Sequence, residues 1–205
     1  FYYLTVANEN YAHPTIPDDS KIIEGILKGL YLLRPSSSQQ GPRVQLMSSG
    51  PILRETIAAA ELLESNHGVT ADVWSAPSFN ELGRDVQTTV RWNRLHPSEP
   101  PKKSYVQEVL EGHDGPVVAA TDFVKAYPEQ IRPALDRRFV TLGTDGFGRR
   151  DTRAKLRGYF EIDRYHVTIA ALSALAEEGA IPRDKVEEAI TRYEIDRDKD
   201  DPAQG

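Results

Sequence analysis

The feature that most constrains this chain is an alternation: short apolar or β-branched runs bounded by turn residues are separated by longer segments with helical spacing. The clearest run, Val117-Val118-Ala119-Ala120, follows Gly115-Pro116 and has no polar residue on either face. A strand of that kind is covered on both sides, the condition of a central strand in a parallel sheet. Val44-Gln45-Leu46-Met47, Ala71-Asp72-Val73-Trp74-Ser75 and Phe139-Val140-Thr141-Leu142 are further strand candidates. Between them Gly50-Pro51 opens a helix whose stripe is Ile52, Leu53, Ile57, Ala60 and Leu63, closed by Gly68. Ser78 with Glu81 reads as a capping box before Phe79, Leu82, Val86 and Val90, and Ser104 with Gln107 as another before Tyr105, Val106, Val109 and Leu110. Pro128 to Leu135 reads as one helical piece. Four or five strands alternating with helices favour a three-layer α/β domain with a mostly parallel sheet.

The flanks are less regular. Residues 1–7 are aromatic and β-branched enough for a strand, and Pro14 and Pro17 make an extended connector after it. From Asp18, the spacing of Ile22, Ile23, Ile26 and Leu30 predicts a short helix running into an extended Tyr31-Leu32-Leu33, and residues 34–43 read as an exposed loop. Asp151 is placed to cap a short helix through Phe160. A helix carrying Val167, Ala170, Ala171, Ala174 and Leu175 is stopped by Gly179, and Pro182 starts another with Val186, Ala189, Ile190 and Tyr193. The charged tail from Asp196 is expected to fray. The resulting division is 1–17 as the last strand of a preceding domain plus connector, 18–195 as the domain, and 196–205 as tail. The chain opens on Phe1-Tyr2-Tyr3 and its one methionine is Met47, which suggests a fragment or a processed product.

Composition removes several functions. With no cysteine among 205 residues there is no disulfide framework, thiolate metal site or cysteine nucleophile. A formal charge of −6, with no Lys/Arg run longer than a pair, argues against binding nucleic acid or an anionic membrane through bulk charge. No stretch approaches the roughly 20 apolar residues that span a bilayer. With no Asn-x-Ser/Thr acceptor present, a cytoplasmic location is expected.

Catalytic motifs are not assembled. Gly146-Phe147-Gly148 meets Asp151 where a dinucleotide fingerprint needs its third glycine. Asp196, Asp198 and Asp200 imitate a calcium loop, but Asp201 replaces its glycine. His13, His67, His96, His113 and His166 have no metal-ligand spacing. Ser48-Ser49-Gly50 is either an ordinary βα turn or an anion cradle built from backbone amides. Arg149, Arg150, Arg153 and Arg157 suit an anion or a partner's carboxylates, with Asp145, Asp151 and Glu161 near enough in sequence to neutralise them.

One stretch is more specific. Leu142-Gly143-Thr144-Asp145-Gly146-Phe147-Gly148-Arg149, followed by Asp151-Thr152-Arg153 and by Leu156-Arg157 to Phe160-Glu161-Ile162-Asp163, resembles the C-terminal domain of the homodimeric pyruvate dehydrogenases. Asn8-Glu9-Asn10-Tyr11, Glu24-Gly25, Ser75 to Phe79, Arg84-Asp85 and Gly115-Pro116-Val117-Val118-Ala119 with Thr121-Asp122 extend the likeness over almost the whole chain. Arg150 stands where that family usually has serine, and His13 is displaced from the histidine that adjoins the equivalent of Tyr11 in some relatives. The resemblance implies a transketolase-like third domain, α/β/α with a mixed, mostly parallel five-stranded sheet. It follows two domains that bind thiamine diphosphate and magnesium, so no catalytic, cofactor or metal residue maps onto this segment, which is expected to be inactive alone and to bind no cofactor. The implied parent is a homodimer that decarboxylates pyruvate and passes the two-carbon unit to the lipoyl group of a dihydrolipoyl acetyltransferase partner. Residues carried over as interface or channel candidates are Asn8, Glu9, Tyr11, His13, Asp145, Gly146, Phe147, Gly148, Arg149, Asp151 and Arg153. The alternative from the residues alone is a self-sufficient α/β module that binds an anionic ligand at Ser49-Gly50 or at Gly146-Phe147-Gly148.

Overall fold

In chain order the elements are α1 (Ser20–Lys28), β1 (Tyr31–Arg34), β2 (Arg43–Ser48), α2 (Leu53–Leu62), β3 (Thr70–Ser75), α3 (Phe79–Leu95), α4 (Tyr105–Val109), β4 (Val117–Ala120), α5 (Ala126–Glu129), β5 (Phe139–Leu142), α6 (Arg153–Tyr159), α7 (Arg164–Glu177) and α8 (Asp184–Arg192). They come from a computed structural model, which describes residues 10–12, 14–16, 19–38 and 40–204. The strand expected over residues 1–7 and the Pro17 end of the connector lie outside the described residues.

The apolar runs form one five-stranded sheet in the order β1-β3-β2-β4-β5. β2, β3, β4 and β5 are parallel, with Leu46 opposite both Val73 and Val118, and β1 joins the β3 edge antiparallel. The sheet is therefore mixed and mostly parallel, as expected. Period-2 alternation sends successive side chains to opposite layers. Val44, Leu46, Val73 and Val118 pack with residues of α2, α7 and α8, and Met47, Trp74, Val117 and Ala119 with residues of α3, α4 and the segment 131–134. Two helical layers follow, each sealing one face.

Local signals account for several helix starts. Asp19 accepts from the Lys21 amide at 2.9 Å to start α1, and Ser78 accepts from the Glu81 amide at 3.1 Å to start α3. Glu81 turns instead to Arg84 at 2.8 Å, so the expected capping box is half made. The Ser104 amide donates to Gln107 Oε1 at 2.9 Å, completing the other.

Three expectations change. Pro128 to Leu135 is not one helix but α5 and a separate 3₁₀ turn, Arg132–Ala134. The ring of Pro133 lacks an N–H and would clash with the carbonyl of Glu129, so a continuous α-helix cannot pass it. Thr152, not Asp151, is the N-cap of α6, and the Asp151 carboxylate accepts from the Thr152 amide at 2.7 Å. The tail is tied down: Arg197 pairs with Glu187 at 2.7 Å, and Lys199 donates to the carbonyls of Tyr159 (2.7 Å) and Gly158 (3.1 Å).

The turn before β4 needs Gly115. Its φ is +91°, and a Cβ there would collide with the Arg43 carbonyl at the start of β2. At the centre of the sheet, Leu46→Ala should lower unfolding stability by about 3 kcal/mol, since the cavity would be walled by two neighbouring strands that cannot collapse into it; the denaturation midpoint measures this.

Candidate functional site

β2 is followed by α2 on one face of the sheet, whereas β4 is followed by α5 on the other. The carboxyl ends of these adjacent strands thus border the topological switch point, the usual crevice for ligands in open α/β sheets. Its polar groups are mostly spent on the protein. Ser48 Oγ donates to the Ala120 carbonyl at 2.8 Å, and the hydroxyls of Ser49 and Thr121 bond each other at 2.8 Å. The Asp122 carboxylate stands 3.3 Å from where a Cβ of Gly50 would be. Burial by the surrounding chain pushes the Asp122 carboxyl up from its ordinary value. An anion at the Ser49-Gly50 turn would meet that carboxylate, so the geometry counts against an anion cradle there. The donor set also does not fit thiamine diphosphate with magnesium: one carboxylate and three committed hydroxyls offer no cluster of oxygen ligands for the metal that would bridge to the diphosphate. Among the described residues no group of three or more His, Asp or Glu is placed to hold a metal ion.

Beside the crevice lies a second group that sequence reasoning only partly anticipated. Glu55 on α2 is buried, accepting from Arg157 Nη1 at 2.8 Å on α6, and from Arg164 Nε at 2.9 Å and the Arg164 amide at 3.2 Å at the start of α7. Burial alone would raise its carboxyl; the hydrogen bonds and charge of Arg164, with Arg157 behind them, outweigh burial and hold it below the ordinary value. The Tyr11 hydroxyl accepts from Arg153 Nη1 at 2.8 Å and Arg157 Nη2 at 3.2 Å, while the Arg54 guanidinium lies 4.6 Å from the Tyr11 ring centroid. The arginines of α6 are thus engaged by Glu55 and Tyr11, not by Asp145, Asp151 and Glu161. Glu55 carried one signal in the sequence: it sits three residues after Ile52 and four before Ala59, inside an apolar helical stripe.

The remaining candidates separate into two places. Asn8, Glu9 and His13 lie outside the described residues, and Tyr11 joins Arg153 as above. Asp145 Oδ2 accepts from the Lys125 amide at 3.2 Å, Gly146 sits at φ +96° against Pro202, Phe147 is 79% exposed, and Gly148 has no neighbour within 4 Å of a Cβ. Arg149 lies over the Tyr159 ring at 5.1 Å, and Asp151 pairs with Lys155 at 3.7 Å. The structure therefore brings Tyr11 to Arg153, and gathers Asp145 to Arg149 into an exposed loop at the end of β5.

Each described histidine makes a hydrogen bond within the chain. His166 Nδ1 bonds Asp163, the N-cap of α7, at 2.8 Å, and His67 Nε2 bonds the Tyr193 hydroxyl at 2.9 Å, with burial lowering its pKa. His96 stacks on Trp92 with centroids 4.3 Å apart. His113 belongs to a buried network at the amino ends of the strands, bonding Asp72 Oδ2 through Nδ1 at 3.2 Å. Gln45 Nε2 donates to the same oxygen at 3.1 Å, and Gln45 Oε1 accepts from Trp74 Nε1 at 2.8 Å.

A parallel-rich sheet with a reversed edge strand, two helical layers and a glycine loop closing the last strand defines a C-terminal domain of the transketolase type. The chain belongs to that family: the model of the transketolase-like TK C-terminal domain matches residues 29–163. Among curated proteins it is similar to the pyruvate dehydrogenase E1 component of Cupriavidus necator, 55% identical over 98% of this chain and 22% of that protein. The same-named proteins of Pseudomonas aeruginosa (53% identical, 98% of this chain, 23% of that protein) and Escherichia coli K12 (47%, 98% and 22%) are also similar. The chain spans about a fifth of the length of these relatives. Solved transketolases from Pichia stipitis (TM-score 0.52, 20% identity, 77% of this chain and 19% of that one) and Leishmania mexicana (0.51, 22%, 78% and 20%) share the fold.

Removing the buried carboxylate in Glu55→Ala takes from Arg157 and Arg164 their shared partner and should cost about 3 kcal/mol at neutral pH. Because the folded pKa of Glu55 is lowered from 4.5, its contribution is complete above that value and is lost as pH falls through the folded value. The difference in thermal unfolding between variant and natural chain should therefore be constant above about pH 5 and shrink as the pH falls below 4.5.

Proposed function

We propose that this chain is the C-terminal structural and dimerisation segment of a thiamine diphosphate- and magnesium-dependent pyruvate dehydrogenase. The parent, a cytoplasmic homodimer, decarboxylates pyruvate and reductively acetylates the lipoyl group of the acetyltransferase component of its complex. The observation that carries this is 55% identity to a pyruvate dehydrogenase E1 component over 98% of the chain. The geometry supports it by committing its polar groups to internal ties: Glu55 holds three helices together, Ser48 and Ser49 join β2 to β4, and Tyr11 anchors the connector. In this reading the thiazolium of the cofactor, held elsewhere in the parent, supplies the carbanion chemistry. Residues of this chain position the connector through Tyr11 and Arg153 and present the Asp145–Arg149 loop, with Phe147 outermost, to a partner surface or channel.

Calorimetry on the 205-residue chain should show no saturable heat with thiamine diphosphate and magnesium, whereas the longer parent should titrate. A saturable heat from the short chain overturns the assignment. In the parent, Phe147→Asp should shift the monomer–dimer equilibrium in sedimentation or lower kcat/KM for the lipoyl substrate. If both stay unchanged, the loop has no interface or channel role.

A further inference from the structure

The loop after β5 is held at its base by the loop after β4 and further out by the far end of the chain. Thr144 fixes its base, donating from N to the Phe123 carbonyl at 2.9 Å and from Oγ1 to the Asp122 carbonyl at 2.9 Å. Beyond it the loop leaves the sheet and meets the tail. A Cβ on Gly146 would collide with the Pro202 carbonyl oxygen and lie 3.0 Å from the Pro202 carbonyl carbon and 3.1 Å from Ala203 Cα. Two cations meet at one ring: Arg149 from the loop lies 5.1 Å from the Tyr159 centroid and Lys199 from the tail 5.5 Å. Lys199 Nζ also caps the end of α6, donating to the Gly158 and Tyr159 carbonyls and pairing with Glu161 at 3.1 Å. Asp201 closes the segment, its Oδ1 accepting from the Ala203 amide at 2.9 Å.

We infer that residues 196–204 form a releasable latch that sets the mobility of the Gly143–Arg150 loop. The latch is mostly polar: its contacts include one helix cap, the Lys199 ammonium over the Tyr159 ring, the Lys199–Glu161 pair, the Arg197–Glu187 pair on an exposed surface and close backbone packing at Gly146. Exposed pairs of this kind contribute little and are screened by salt, so such a segment opens at far lower cost than the sheet. Gly146 serves both sides of the device. Its positive φ turns the loop, and its missing side chain leaves room for Pro202. This device stands on contacts within the chain and does not depend on the cofactor or partner of the parent.

The test is hydrogen exchange by mass spectrometry on the full chain, comparing peptides over 143–152 and 117–120 in the natural protein, in Lys199→Ala and in a protein ended after Ile195. Exchange over 143–152 should quicken roughly tenfold in the shortened protein and by a smaller factor in Lys199→Ala, with 117–120 unchanged. Trypsin cleavage after the exposed Arg149 and Arg150 should quicken in parallel. High salt should quicken loop exchange in the natural protein but not in the shortened one. Gly146→Ala should speed loop exchange more in the natural protein than in the shortened one, because only the former has a tail to displace. Unchanged loop exchange in the shortened protein overturns the latch, and so does a rise that spreads equally to 117–120, which would make the tail a general support of the fold.

Discussion

Coverage of both faces is the constraint from which the rest follows. A polar side chain on β2, β3 or β4 has no water to reach, so it must find its partners inside the protein. Gln45 and Asp72, at 0% and 1% exposure, show what that demands. Asp72 accepts from the Ser36 amide at 2.8 Å, from Gln45, and from Arg43 Nη1 at 3.2 Å, in addition to His113. Burial raises its carboxyl, yet these partners together hold it below its ordinary value. One buried carboxylate thereby fixes the loop after β1, the start of β2 and the turn into β4, leaving the carboxyl ends of the strands as the side on which loops can diverge.

Glu55 plays the equivalent part outside the sheet. α2 packs on the sheet through Ala59 and Ala60, while α6 has no buried residue of its own. A helix without an apolar anchor gains little from burial and has to be held by specific contacts. Arg157 supplies one by reaching Glu55, and Arg153 and Arg157 pass the tie outward to Tyr11 on the connector. Glu55 therefore orders α6, and α6 orders the connector.

Much of the fold was legible because periodicity and burial coincide. Val117 to Ala120, apolar on both faces, is a strand with both faces covered, and the Ile52–Leu63 stripe runs from a 3₁₀ turn through α2 into a closing π-helical turn. β1 was legible only as an extended segment, since its antiparallel pairing to β3 depends on the edge that β3 happens to leave open. Pro133 would have marked the break after α5 had its clash with the carbonyl four residues back been weighed against the run of helix formers. The site was less legible. Arg157 and Glu55 lie 102 residues apart, and ion pairing at that separation leaves no local pattern. Glu55 itself was visible as a charge in an apolar stripe, and Asp72 as a charge in a buried strand; both are anomalies whose explanation is a distant partner.

Two glycines in this chain meet a carbonyl for different reasons. Gly115 is required by a carbonyl of the neighbouring strand, a contact any sheet of this connectivity imposes near its centre. Gly146 is required by a carbonyl of the tail, which no sheet connectivity demands. A backbone approach this close costs both segments conformational entropy, and neither the exposed Phe147 nor the polar tail recovers it through burial. The contact thus fixes an exposed loop while contributing little to the stability of the domain.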